Sequence, residues 1–168
     1  MKKVTVRFLA ILFLGFITSC DSSKTPNDPN LIGDEVFNVI RDFNSKSLDS
    51  YLSEMISLEE LRDLANDPNL ITEEKGRNEL NSITIEELNE LGEKDYNKIK
   101  SKGIKYKIDW SKITYLYFTY EIEYDDGAKI CEGKTYFSNN GQVYYAKSWS
   151  VYNGYGYRLV RIKRVYKK

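Results

Sequence analysis

Fourteen tyrosines, two cysteines and no histidine set the chemistry this 168-residue chain can carry. Without histidine there is no Ser-His or Cys-His pair and no side chain that ordinarily titrates near neutral pH. The commonest ligand for zinc, copper and iron is missing too. Carboxylate, lysine and tyrosine chemistry remains. Asp109, between Ile108 and Trp110, is the one carboxylate in an apolar context, and so the candidate for an Asp base working with a Tyr hydroxyl. The same Asp-Trp-Ser stretch suits a turn that Asp109 caps, and no catalytic residue is assigned from it. Asp125-Asp126, with Glu121 and Glu123 nearby, offers too few oxygens for calcium and no loop consensus. Turn chemistry explains these acids, so neither a metal site nor a cofactor is expected.

Thirteen of the fourteen tyrosines fall after residue 95. Tyrosine joins apolar area to a polar tip and suits ligand grooves and partner surfaces. Tyr115, Tyr117, Tyr145, Trp149 and Tyr157 line one face if the strands pair in register, and they form the candidate ligand-binding set. Strand propensity alone also favours tyrosine on half-buried strands. Cys131 lies in a predicted strand with no base to activate it, which reads as a small buried hydrophobe.

Cys20 has a different context. A basic start (Lys2, Lys3, Arg7) leads into ten uncharged residues, Phe8 to Ile17, and Ile17-Thr18-Ser19-Cys20 closes the run. This resembles the signal sequence of a bacterial lipoprotein, with an aliphatic residue three before a Cys and a small residue just before it. The resemblance implies cleavage before Cys20, lipid on Cys20, and a membrane as partner through that lipid. Residues 1–19 are then excluded from fold reasoning. Ten residues in a helix reach about 15 Å, half of a hydrocarbon core of roughly 30 Å, so a retained span is not expected. An ordinary secretory signal with an incidental Cys is the alternative. If Cys20 is lipidated, Cys131 is the only other thiol and no internal disulfide forms.

The elements that must position these residues follow from periodicity. Residues 20–32 hold two of the three prolines among small polar residues and read as a tether, with one domain over 33–168. Val36, Phe37, Ile40 and Phe43 recur at helical spacing, with a break expected around 44–47 before Leu48 to Ile56. Ser57-Leu58-Glu59-Glu60 and Thr84-Ile85-Glu86-Glu87 are capping boxes that each open a helix. A short helix is expected after Thr72, and Gly103 is expected to stop the last helix. From Ile104 the period becomes two. Asp126-Gly127, Asn140-Gly141 and Asn153-Gly154 supply turns for an antiparallel meander of four strands.

Helices followed by an antiparallel sheet make an α+β fold, N-terminal helices packed on a C-terminal meander. This order, with Gly-Ile-x-x-x-Ile-Asp-Trp at 103–110, resembles the cystatin-like/NTF2-like folds of small bacterial lipoproteins. That family implies helices cradling a curved sheet, often around a pocket. The strands that the NTF2 pattern places between helices are not evident.

Charge is uneven. Residues 21–100 carry 19 acidic and 9 basic side chains, and residues 101–168 carry 6 and 13. An acidic helical layer on a basic sheet accounts for this; a basic face for an anionic partner is the functional alternative. Arg158, Arg161, Lys163, Arg164, Lys167 and Lys168 make the last strand basic, with Arg161 and Lys163 expected on one face and Arg158 and Arg164 on the other. Such a strand is either a charge-guarded edge or attracted to anionic lipid or glycan. The expected role is a non-catalytic protein of the bacterial cell envelope, lipid-anchored and periplasmic or surface-exposed. It binds a small or polymeric ligand or, alternatively, docks another protein; nucleic acid is not an expected partner.

Overall fold

The structure is a computed structural model that describes residues 28–168; the expected signal sequence, Cys20 and most of the expected tether lie outside the described residues. The element order is α1 (Ile32–Ile40), α2 (Leu48–Leu52), α3 (Leu58–Asn66), α4 (Glu74–Ser82), α5 (Ile85–Tyr106), then β1 (Thr114–Asp125), β2 (Ala128–Asn139), β3 (Gln142–Tyr152) and β4 (Tyr157–Lys167). Short 3-10 turns cover Pro29–Leu31, Phe43–Ser45 and Trp110–Lys112. This is the α+β layout of helices and then a sheet. Among the described residues no strand lies between the helices, apart from an isolated bridge from Ile71 to Ala128.

Both capping boxes form as their spacing predicts. The Ser57 hydroxyl accepts from the Glu60 N–H at 3.1 Å, and the Glu60 carboxylate accepts from the Ser57 N–H at 2.7 Å. Thr84 and Glu87 repeat this exchange at 3.2 and 2.9 Å. Each box satisfies two of the N–H groups that a helix start leaves free.

Three boundaries differ from expectation. The folded part begins before residue 33: Asp28 caps the turn at Pro29–Leu31, and Ile32 is fully buried. The first helix breaks at Arg41 and Asp42, where backbone ψ turns to 135° and φ then to +59°, rather than at 44–47. The last helix runs through Gly103 to Tyr106. It ends at Lys107 (φ +54°), where the Ile108 N–H donates to the Gly103 carbonyl and the Lys107 N–H to the Ile104 carbonyl, a Schellman end. Gly103 serves packing instead, since a Cβ there would sit 2.6 Å from Trp110 Nε1.

The four strands form one antiparallel sheet in the order β1-β2-β3-β4. Asp126-Gly127 and Asn140-Gly141 are two-residue turns with positive φ at both positions, which matches the right-handed twist of the strands they join. One face, called inner here, carries Phe118, Cys131, Phe137, Ala146, Leu159, Ile162 and Val165. These pack against Val36 and Ile40 of α1, Tyr51 of α2, Tyr96 and Ile99 of α5, and Phe43 and Trp110. α1 touches all four strands, and α5 runs along β4. Each large apolar side chain buried this way contributes about 1.5–3 kcal/mol. A second cluster joins Ile56, Leu61, Leu64 and Ile71 to Val151. Val151 faces away from the inner core, so α3 and α4 wrap one end of the opposite, outer face. The remainder of that face is uncovered by any described element.

Two buried ionic groups tie these layers together. Asp95 of α5 is 0% exposed and pairs with Arg161 of β4 at 2.7 Å and Lys98 at 3.1 Å. Arg158 donates to the Glu60 carboxylate and to the carbonyls of Glu54 and Met55, pinning the segment between α2 and α3 to β4. Burial pushes the Glu60 carboxyl up, but the Ser57 N–H and the Arg158 guanidinium outweigh it and hold the group below the usual carboxylate range.

Candidate functional site: the outer face of the sheet

Strand register builds a row of four tyrosines across the whole outer face. Tyr117 pairs with Tyr136, Tyr136 with Tyr145, and Tyr145 with Tyr166. Their ring centroids lie 4.4, 5.4 and 4.9 Å apart, with interplanar angles of 21°, 38° and 12°. Those separations match the ~4.8 Å spacing of strands. The outer two pairs are stacked and the middle pair is tilted, so the rings contact one another along the row.

Cations flank the row. The next register line is Thr119, Lys134, Lys147 and Arg164. Lys168 donates to the Tyr117 hydroxyl at 3.1 Å and lies over the Tyr136 ring. Among the described residues neither Lys134 nor Arg164 has an acidic partner. One line further on, Glu132 neutralises part of the charge: it accepts from Trp149 Nε1 and pairs with Lys147 and Lys163, and Lys163 also sits over the Trp149 ring. Burial pushes Glu132 up, but the Lys147 and Trp149 donors and the Lys163 charge outweigh it and keep the carboxyl below its ordinary range. Loss of water and two neighbouring cations push Lys163 down, although Glu132 opposes them.

The structure divides the expected aromatic set. Tyr117, Tyr145 and Trp149 share the outer face. Tyr115 does not: a bulge at Leu116 shifts register between Tyr115 and Tyr117, so Tyr115 opposes Phe137 on the inner face and its ring packs edge-on to Phe37. Tyr157 opposes Tyr152, is 3% exposed, and belongs to the inner core. The basic strand is corrected as well. Bulges at Val160 and Lys163 break its alternation, so Arg158, Arg161 and Arg164 oppose Val151, Trp149 and Lys147, all outer-face residues of β3. Tyr136, Tyr166, Lys134 and Lys147 complete the face and were absent from the expected set.

The other candidates lie elsewhere. Asp109 starts the 3-10 turn at Trp110–Lys112. Its exposed carboxylate accepts from the Ser111 hydroxyl at 2.7 Å and pairs with Lys112 at 3.0 Å. Those partners hold its carboxyl below the usual range, the opposite of the raised value a general base near neutrality needs. Cys131 is buried, and burial pushes its thiol up to about 12. Asp126 sits in a turn and pairs with Lys75 at 3.0 Å. Among the described residues no group of three or more Cys, Asp or Glu side chains could hold a metal ion, and no helix is long and apolar enough to cross a membrane.

A cleft of about 260 Å³ lies between α3 and the β3–β4 turn, walled by Glu60, Asp63, Asp67 and Tyr155. A second, of about 200 Å³, is apolar and lies among α2, α5 and β4. Both fall short of the roughly 300–1,000 Å³ typical of small-molecule pockets. On the outer face itself a hollow at Thr119, Glu121, Glu132 and Lys134 holds about 60 Å³.

The chain matches no protein-family model, no curated protein and no solved structure.

Proposed function

We propose that this chain is a non-catalytic, lipid-anchored protein of the bacterial cell envelope that docks an acidic protein partner on the outer face of its sheet. The observation that carries the docking reading is the row Tyr117-Tyr136-Tyr145-Tyr166 beside Lys134, Lys147, Arg164 and Lys168. The hollow at Thr119, Glu121, Glu132 and Lys134, about 60 Å³, is far smaller than a small-molecule pocket. The rings of the face lie against one another along the row, which leaves less free ring face for sugars than isolated rings would. Tyrosine with arginine is the composition that protein interfaces favour, and unneutralised lysine and arginine steer an acidic surface onto it. The lipobox at Ile17 to Cys20 supplies the anchoring part of the reading, and the cystatin-like/NTF2-like resemblance fits its helix-then-sheet order.

Two experiments separate these parts. Labelling cells with an acyl-chain analogue should mark the wild-type chain, and Cys20→Ala should lose both the label and membrane association. Retained label would sink the anchor. For the face, cells are crosslinked briefly and the adducts compared between wild type and Lys134→Glu/Arg164→Glu. A protein adduct of defined mass should weaken tenfold or more in the double variant; an undiminished adduct would refute docking at this face.

A further inference from the structure

β1 is an open edge of unusual character. It is 12 residues long and, among the described residues, has one neighbouring strand, β2. The opposite edge, β4, is covered: α5 runs along it, and the Ile56 N–H donates to the Leu159 carbonyl. Edge strands are normally guarded by lysine, proline, bulges or shortness. β1 has no lysine, arginine or proline; its guards are the bulge at Leu116 and three acids, Glu121, Glu123 and Asp125, and the turn at Pro29–Leu31 and α1 touch it. Five of the nine large hydrophobic side chains exposed among the described residues lie on this strand: Leu116, Tyr117, Tyr120, Ile122 and Tyr124. About half of its N–H and C=O groups point away from β2 and have no strand to pair with.

We propose that β1 pairs with β1 of a second copy of this chain, antiparallel, with a two-fold axis at Thr119. Charge selects both the occupant and the register. The strand's acids, Glu121, Glu123 and Asp125, all lie in its second half. Parallel pairing in register sets each acid against itself. Antiparallel pairing centred on Thr119 sets Glu121 opposite Tyr117 and brings Glu123 and Asp125 alongside the partner's strand beyond its Leu116 bulge, where residues 113–116 carry no acid, so no acid faces an acid. It brings Glu121 of one copy toward Lys168 of the other, which already reaches the Tyr117 hydroxyl. Tyr120 meets Phe118, and Ile122 comes beside the bulged Leu116, which covers three of the five exposed apolar side chains. The product is one eight-stranded sheet closed by two-fold symmetry, with the tyrosine row and its cations repeated on a shared face. This inference concerns the purified chain alone and stands whether or not the face docks an acidic protein.

The test is a cysteine scan of β1 in the full-length chain, with Thr119→Cys and Glu123→Cys treated with a short thiol-to-thiol crosslinker. At the axis, paired Cα atoms lie about 4.5–5.5 Å apart, whereas four residues away the two copies of one position are about 27 Å apart. Thr119→Cys should give a covalent dimer in most molecules, and Glu123→Cys at least tenfold less. Sedimentation of the wild type should give a dimer that Tyr120→Lys/Ile122→Lys converts to a monomer with unchanged circular dichroism. A wild-type monomer at 100-micromolar order, equal crosslinking at both positions, or a crosslinking maximum elsewhere on the strand would each overturn the proposal.

Discussion

On the inner face of the sheet aromatic rings are used up by packing: Phe137 lies between Trp110 and Tyr144, and Tyr157 lies among Tyr152 and the core. On the outer face Tyr117, Tyr136, Tyr145 and Tyr166 lie against one another, with Lys168 and Arg164 over their rings and no described element above. The same strands and much the same residue type produce both. What differs is the partner. Inside, α1, α2 and α5 supply apolar side chains that exclude water. Outside, α3 and α4 stop at Val151 and leave the tyrosine end open. Composition therefore does not distinguish the two faces; coverage does.

The sharpest way to break this contrast is matched truncation. Phe137→Ala should cost about 3–5 kcal/mol by opening a cavity in the core. Tyr145→Ala should cost only about 1 kcal/mol, the scale of lost ring-ring contacts. Denaturant melts compare them, and equal losses would mean the outer row is as structural as the core. Charge gives the next pair. Arg161→Ala leaves Asp95 buried with Lys98 as its remaining partner and should cost about 3 kcal/mol. Arg164→Ala, three residues on and without an acidic partner, should stay within about 0.5 kcal/mol. Gly103→Ala drives a methyl into Trp110 and should cost about 1–3 kcal/mol, with a visible change in tryptophan fluorescence.

The smallest effect is a pH response on the outer face. A carboxyl depressed by folding contributes stability that is fully present above its unfolded pKa and is lost as pH falls through the folded one. Glu132 is of this kind. The Trp149 indole N–H resonance should hold steady from neutral pH down past about 4.3, the ordinary glutamate value, and move only below it. Movement above that point would show that the Lys147–Glu132–Trp149 contacts do not hold the carboxyl down.

Much of this face was legible in the residues, and the missing part has a physical reason. Asn140-Gly141 makes a two-residue turn that fixes Asn139 opposite Gln142, so counting back sets Tyr136 opposite Tyr145. The same arithmetic from Asp126-Gly127 sets Tyr117 opposite Tyr136. Tyr166 could not be reached this way. It joins the row only because bulges at Val160 and Lys163 shift β4 by two residues, and neither position carries a glycine or proline to announce it. Tyr115 was misplaced for the same reason, by one bulge at Leu116. The capping boxes at Ser57 and Thr84 were readable because their chemistry is local. Gly103 was misread because the constraint on it comes from Trp110, seven residues away and beyond the helix end.

The central claim is that the outer sheet face, and not the acidic helical side, meets the partner. A photo-activated crosslinking residue placed at Tyr145, and in parallel at the exposed Glu86 of α5, tests this in intact cells. The account predicts a single protein adduct from position 145, with an acidic surface at the crosslinked peptide, and none from position 86. An adduct from 86 alone, or equal adducts from both, would contradict it.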